Sequence, residues 1–176
     1  MRYRRANAAG GTYFFTVNLA ERSSDRLVRH VDDLRAVIKK VKEAHPFATL
    51  AMVVLPDHLH AIWRLPLGDA DYPMRWSLIK AGFSHQLAKG ERIRASRMAK
   101  RERGIWQRRY WEHQIRDEHD LIRHVNYIHY NPVKHGWVNL PVDWPHTMLH
   151  GYIERGMVTP DWGGEMSDGI NSYGER

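Results

Sequence analysis

The sequence has no cysteine, so disulfide frameworks, thiolate metal sites and cysteine nucleophiles are excluded, and a reducing cytoplasm is its natural compartment. No apolar run approaches membrane-spanning length, which predicts no membrane partner. Met1-Arg2-Tyr3-Arg4-Arg5 is followed by no apolar segment of signal-peptide size, so the protein is expected to stay in the cytoplasm. Acidic residues are the scarcer charge: 20 Asp and Glu against 27 Lys and Arg leave a formal charge of +7 and a pI near 9.8. Repeats and low-complexity tracts are absent as well. A chain of 176 residues suits one compact domain with appendages, expected here as a domain over residues 1–145 and a tail over 146–176.

The basic excess is clustered. Residues 92–109 hold Arg92, Arg94, Arg97, Lys100, Arg101, Arg103, Arg108 and Arg109, opposed only by Glu102. Such a run favours a polyanion through counterion release, and the many Trp and Tyr residues offer surfaces for base stacking. A solvated basic loop is the alternative. The run has no apolar face of the kind that seats a helix on a membrane.

Thr12-Tyr13-Phe14-Phe15-Thr16-Val17-Asn18-Leu19 is aromatic and β-branched and reads as a first strand. Val31, Leu34, Ile38 and Val41 recur at helical spacing, predicting an amphipathic helix over residues 29–45 that ends at Pro46. Phe47 to Leu55 suits a buried strand, and Pro56-Asp57 turns the chain into a third strand over residues 58–65, as an antiparallel hairpin. Trp76, Ile79, Phe83 and Leu87 mark a second helix ending near Lys89-Gly90, and a fourth strand is expected over residues 105–111, extending as far as Ile115. Asp117 can cap a third helix, with Leu121, Ile122, Val125 and Ile128 as its apolar stripe and Asn131-Pro132 as its end or kink. This order is the ferredoxin-like split β-α-β arrangement, an α+β fold in which two helices cover one face of an antiparallel sheet and the third helix packs on the other.

Within the third strand, alternation puts His58 and His60 on one face and Leu59, Ala61 and Trp63 on the opposite one. Two adjacent imidazoles can fill neighbouring coordination positions of a divalent metal; a merely exposed or hydrogen-bonded pair is the alternative. On the third helix Tyr127 lies about 160° from Val125, on the side of Asp120, His124 and Asn131. Tyr127 and Asn131 are therefore neighbours. If that side lies against the histidine strand, Asn131 can supply a third ligand and Tyr127 a phenol. A helix-terminating Asn and a surface or stacking Tyr are the competing readings.

Asp57-His58-Leu59-His60 resembles the His-hydrophobic-His motif of the single-tyrosine HUH transposases. Trp106-Gln107-Arg108-Arg109-Tyr110-Trp111-Glu112-His113 and Tyr127-Ile128-His129-Tyr130-Asn131-Pro132-Val133-Lys134-His135-Gly136 resemble the REP-associated tyrosine transposase branch, and the likeness runs from Gly10-Gly11-Thr12 to Asp161-Trp162-Gly163-Gly164. The resemblance implies an enzyme that cleaves and rejoins single-stranded DNA at repetitive extragenic palindromes, recognising a hairpin and a flanking tetranucleotide. It implies His58 and His60 as metal ligands, Tyr127 as nucleophile, a 5′-phosphotyrosine intermediate and a monomeric, nucleoid-associated bacterial protein. Asn131 stands where insertion-sequence relatives carry glutamine. Mg²⁺ or Mn²⁺ is the expected cofactor, because phosphate and water oxygens would complete the site and no thiolate is present. Arg4, Arg5, Arg108, Arg109 and Lys134 are candidates for following the phosphates, and Tyr3, Trp76, Trp106 and Trp111 for stacking on bases, with core packing the alternative for each tryptophan. Tyr110 and Tyr130 are reserve nucleophiles, and His113, His124, His129 and His135 are either phosphate or proton-transfer groups or ordinary polar residues. The chief alternative function is a non-catalytic nucleic-acid-binding module on the same sheet, and a metal-dependent hydrolase using water is another.

Overall fold

The computed structural model describes residues 8–90, 93, 95–98, 103–163 and 175. Its element order is β1 (Thr12–Asn18), α1 (Arg26–Arg29), α2 (Val31–Ala44), β2 (Ala48–Val54), β3 (His58–Arg64), α3 (Tyr72–Gln86), α4 (Ala95–Met98), β4 (Trp111–Gln114), α5 (Glu118–Lys134) and α6 (Leu149–Glu154), with a 3-10 turn at Pro141–Asp143 before α6. The four strands form an antiparallel sheet in the order β2-β3-β1-β4, the ferredoxin-like arrangement.

Alternation along β1 and β3 divides the sheet into two unlike faces. Tyr13, Phe15, Val17, Leu59, Ala61 and Trp63 face α2 and α3, whose Leu34, Val37, Trp76, Ile79 and Phe83 complete the larger core. Burying aromatic and branched side chains here stabilises the fold by roughly 1.5–3 kcal/mol each relative to exposure. Gly82 permits the close approach of the two helices, since a Cβ there would lie 2.7 Å from Val37 Cγ1. The second face carries Phe14, Ala51, Val53 and Ile62, covered by Tyr127 and Ile128 of α5.

Three elements depart from the sequence expectation. The predicted helix over 29–45 divides into α1 and α2 at His30. Strand β4 begins only at Trp111; upstream, Trp106 makes a single bridge to Leu19. Helix α5 continues through Pro132 to Lys134. Gly136 then stops it at φ 71°, with Gly136 N–H donating to Val133 O and Trp137 N–H to Pro132 O, a pair of bonds that satisfies the terminal carbonyls.

The side of α5 that carries Tyr127 and Asn131 packs inward. Asp120, His124, Tyr127, Ile128, His129 and Asn131 are buried, whereas Ile122, assigned to the apolar stripe, is half exposed. The sheet face it meets sets the polar Thr16, His58 and His60 among Phe14, Val53 and Ile62, so polar and apolar residues of the helix are buried together. Residues beyond 145 enter the body of the fold: Val54 N–H donates to His146 O, Met148 N–H to Met52 O, and the Tyr152 hydroxyl to Leu50 O. Among the described residues no helix is long and apolar enough to cross a membrane.

Candidate active site

Each histidine of β3 is held from behind. His58 Nδ1–H donates to Asp57 Oδ1 at 2.8 Å, and Arg22 Nε braces the other carboxylate oxygen at 2.9 Å. The carboxylate fixes the tautomer and leaves the His58 lone pair on Nε2. Burial alone would raise the Asp57 carboxyl, but the His58 hydrogen bond and the Arg22 charge hold it below its ordinary value. His60 Nδ1 lies 2.9 Å from Thr16 Oγ1, directly across the β1–β3 pair. Its imidazole is held well below its usual range by burial first, and also by neighbouring cations such as Lys134 and Arg22, so it is neutral and able to ligate.

The two rings lie 5.0 Å apart, and the Tyr127 ring stands 5.2 Å from His60, edge to face. Lys134, two turns along α5, donates from Nζ to Tyr127 Oη at 3.3 Å and lies 4.8 Å from the ring centroid. Asn131 lies between them on the same side of the helix. A carboxylate from the far end of the chain occupies the space they enclose: Glu175 accepts from Asn131 Nδ2 and Lys134 Nζ, each at 2.9 Å, and comes within 3.4 Å of both His60 Nε2 and His135 Nε2. Burial raises the Glu175 carboxyl to about 7. Asn131 Nδ2 and Lys134 Nζ are the donors that hold its two oxygens in this space.

His58 Nε2, His60 Nε2 and Asn131 Oδ1 are buried without a hydrogen-bond partner among the described residues. Leaving one such atom unsatisfied costs about 1–3 kcal/mol, so three together need an explanation. All three can bear a lone pair, which is the donor set a hard or borderline divalent ion takes. The residues fit a metal.

The other expectations fall in several places. Arg4, Arg5 and Tyr3 lie outside the described residues. Arg108 and Arg109 are exposed, and Arg108 is steadied by Ser96 O at 3.0 Å. Arg97, Arg103 and Arg108 join Lys80, Trp106 and Tyr110 around a cavity of about 500 Å³ on the α3 side, away from the histidines. Trp76 is fully buried and stacks on Trp63, so it offers no face to a base; Trp106 is largely buried at the cavity wall, and Trp111 packs against Phe14 and His113. Tyr110 packs with Phe15 and Trp76 in the larger core. His129 is buried beside Thr147 and Tyr152, and burial pushes its imidazole down to about 4.

His113 and His124 stack 4.8 Å apart around Asp120, which accepts from His113 Nε2 at 2.7 Å, from Arg123 Nη2 at 2.9 Å and from the Arg116 backbone N–H at 3.1 Å. Burial raises this carboxyl, but those donors outweigh it and hold the group well below the carboxylate range. Asp120 thus ties β4 to the first turn of α5, fixing the helix that carries Tyr127. A depressed acid stabilises the fold fully above its unfolded value, near pH 4, and the contribution is lost as pH falls through the folded value. Asp120→Asn is expected to cost about 2 kcal/mol near pH 7 in chemical denaturation. The gap to wild type should close below about pH 4; a gap independent of pH would refute the assignment.

A scan against models of known protein families found no match. A REP-associated tyrosine transposase of Escherichia coli (strain K12) is 45% identical over 174 residues, covering 99% of this chain and 96% of that protein. A Haemophilus influenzae protein named for the same family is 44% identical over 163 residues, covering 92% of this chain and 93% of its own. This chain belongs to the REP-associated tyrosine transposase family. It is accordingly a DNA transposase. A solved structure described as a REP-associated tyrosine transposase bound to a REP hairpin has the same fold, with a TM-score of 0.86 at 45% identity over 100% of this chain and 98% of that one.

Thr16, Asp57, Arg22 and Glu175 also line this site, with no role expected for them from the sequence. Thr16 was within reach, since pairing β1 against β3 sets it opposite His60. Glu175 carried no local signal.

Proposed function

We propose that this transposase cleaves and rejoins single-stranded DNA next to a folded hairpin of the REP type, through a covalent 5′-phosphotyrosine at Tyr127 and with a divalent ion held by His58, His60 and Asn131. The observation that carries this reading is the set of three buried donor atoms without a hydrogen-bond partner, on His58, His60 and Asn131, with the Tyr127 ring 5.2 Å from that of His60. The hairpin partner is supported by the REP hairpin bound to the relative of known structure.

In cleavage, Tyr127 Oη forms a bond to phosphorus as the bond from phosphorus to the 3′-oxygen breaks. The phenol proton is given up to solvent, and the departing 3′-oxygen gains a proton to become a hydroxyl. One phosphodiester replaces another, so the reverse step rejoins DNA without ATP. A bound Mg²⁺ or Mn²⁺ supplies charge neutralisation at the scissile phosphate. Asn131 Nδ2 and Lys134 Nζ, which grip the Glu175 carboxylate here, would grip the phosphate oxygens.

Lys134 also reaches the reacting oxygen, so it stabilises the phenolate both as nucleophile and as leaving group. Lys134→Ala is expected to slow adduct formation about 10²-fold, as removal of one transition-state donor does. Lys134→Arg should recover part of that rate. Equal rates for all three proteins in single-turnover assays would remove Lys134 from the mechanism and leave it a phosphate contact at most.

The test of the whole reading is to incubate the protein with end-labelled palindromic single strands and Mn²⁺ and sequence the DNA-bearing peptide. Label on the peptide containing Tyr127 is the expected result. Cleavage without any adduct would favour water as the nucleophile, and binding without cleavage would favour the non-catalytic module.

A further inference from the structure

We propose that His135 is an additional protein ligand to the divalent ion held at His58, His60 and Asn131. The inference rests on the metal-dependent reading above and adds a residue to it. His135 extends the row Tyr127–Asn131–His135, each four residues on, so all three side chains project from one side of α5. The Gly136 stop fixes His135 at the helix end instead of on a loop. Its ring lies 5.2 Å from that of His58, at 68°.

The donor atoms of His58, His135 and Glu175 all fall within 4.8 Å of one another. Ligands bound at about 2.1–2.2 Å to one ion are separated by no more than about 4.4 Å, so only small side-chain adjustments would bring these atoms into a shared shell. The second partner of His135 Nε2 points the same way, because it is the carboxylate oxygen at 3.4 Å that fills the enclosed space.

The charge balance explains why an imidazole is useful there. His58, His60, Asn131 and His135 are all neutral as ligands, so the protein cancels none of the ion's positive charge. That charge is left for an anionic phosphodiester in the position Glu175 holds. A purely phosphate-contacting His135 would instead be indifferent to metal in the absence of DNA.

The deciding measurement is Mn²⁺ binding to DNA-free full-length protein by calorimetry, combined with pulsed EPR to count coordinated imidazole nitrogens. It is done in a Glu175→Ala background, so that the tail carboxylate neither ligates nor competes. The parent should show three imidazoles, and His135→Ala should show two, with Mn²⁺ affinity lowered about tenfold or more. Two imidazoles in the parent, or unchanged affinity in His135→Ala while His60→Ala loses binding, would overturn the role of His135 and leave the underlying site intact. Absence of Mn²⁺ binding to the parent would overturn both. The count in the parent needs no substitution at His135, so misfolding of that variant cannot obscure the result.

Discussion

Tyr127→Phe should abolish the covalent adduct and lower cleavage by at least about 10⁴-fold, while leaving affinity for a hairpin within about threefold of wild type. Removing one oxygen deletes the nucleophile but keeps the ring, which packs against Phe14 and His60 and helps close the second core. The contact given up is the Lys134 hydrogen bond at 3.3 Å, which is partly exposed and worth about 1 kcal/mol, so the variant should remain folded. Denaturing gels report the adduct and native gels the binding. An adduct forming at the wild-type rate in the Phe variant would move the nucleophile elsewhere. Tyr130 is then the remaining candidate, since Tyr110 is packed among the rings of Phe15 and Trp76.

The same ring shows how far the sequence could be read. Periodicity set Tyr127 apart from Leu121 and Val125, yet all three pack on one cluster and Tyr127 is the most buried of them, so the usual inference that the polar side of a helix faces water fails for α5. An amphipathic helix buries its apolar stripe when the surface it meets is apolar. Here the sheet face sets Thr16, His58 and His60 among Phe14, Val53 and Ile62, and His124 and Asn131 are buried along with Tyr127 and Ile128. Strand alternation in Asp57-His58-Leu59-His60 was reliable because β3 is central, with a partner on each side fixing its register. The fourth strand was less so. Its aromatic run begins at Trp106, but Trp106 is spent on the α3 core and the ladder starts at Trp111. Glu175 lay beyond any local pattern, because its hydrogen bonds to Asn131 and Lys134 span 44 and 41 residues of sequence, and only the folded chain brings them together.

His60→Ala, or removal of divalent metal by a chelator, should depress cleavage about 10³-fold or more without weakening hairpin binding beyond about threefold. The two effects should separate, because most of the cations expected to follow the phosphates lie away from His60. Arg108 and the cavity it lines with Lys80, Arg97 and Arg103 lie on the α3 side, whereas His60 is buried beneath α5. Binding carried by those cations should fall steeply with salt and be insensitive to chelator; cleavage should respond to both. Thr16→Val distinguishes a metal role for His60 from a packing role. It keeps the shape of the strand and of the buried imidazole but removes the 2.9 Å partner of Nδ1, which frees the tautomer and ring angle. Cleavage at limiting Mn²⁺ should fall about 10- to 100-fold and recover largely at saturating Mn²⁺. If His60 served only to fill space, Thr16→Val would leave the Mn²⁺ dependence where it was, and the chelator would act through some other site.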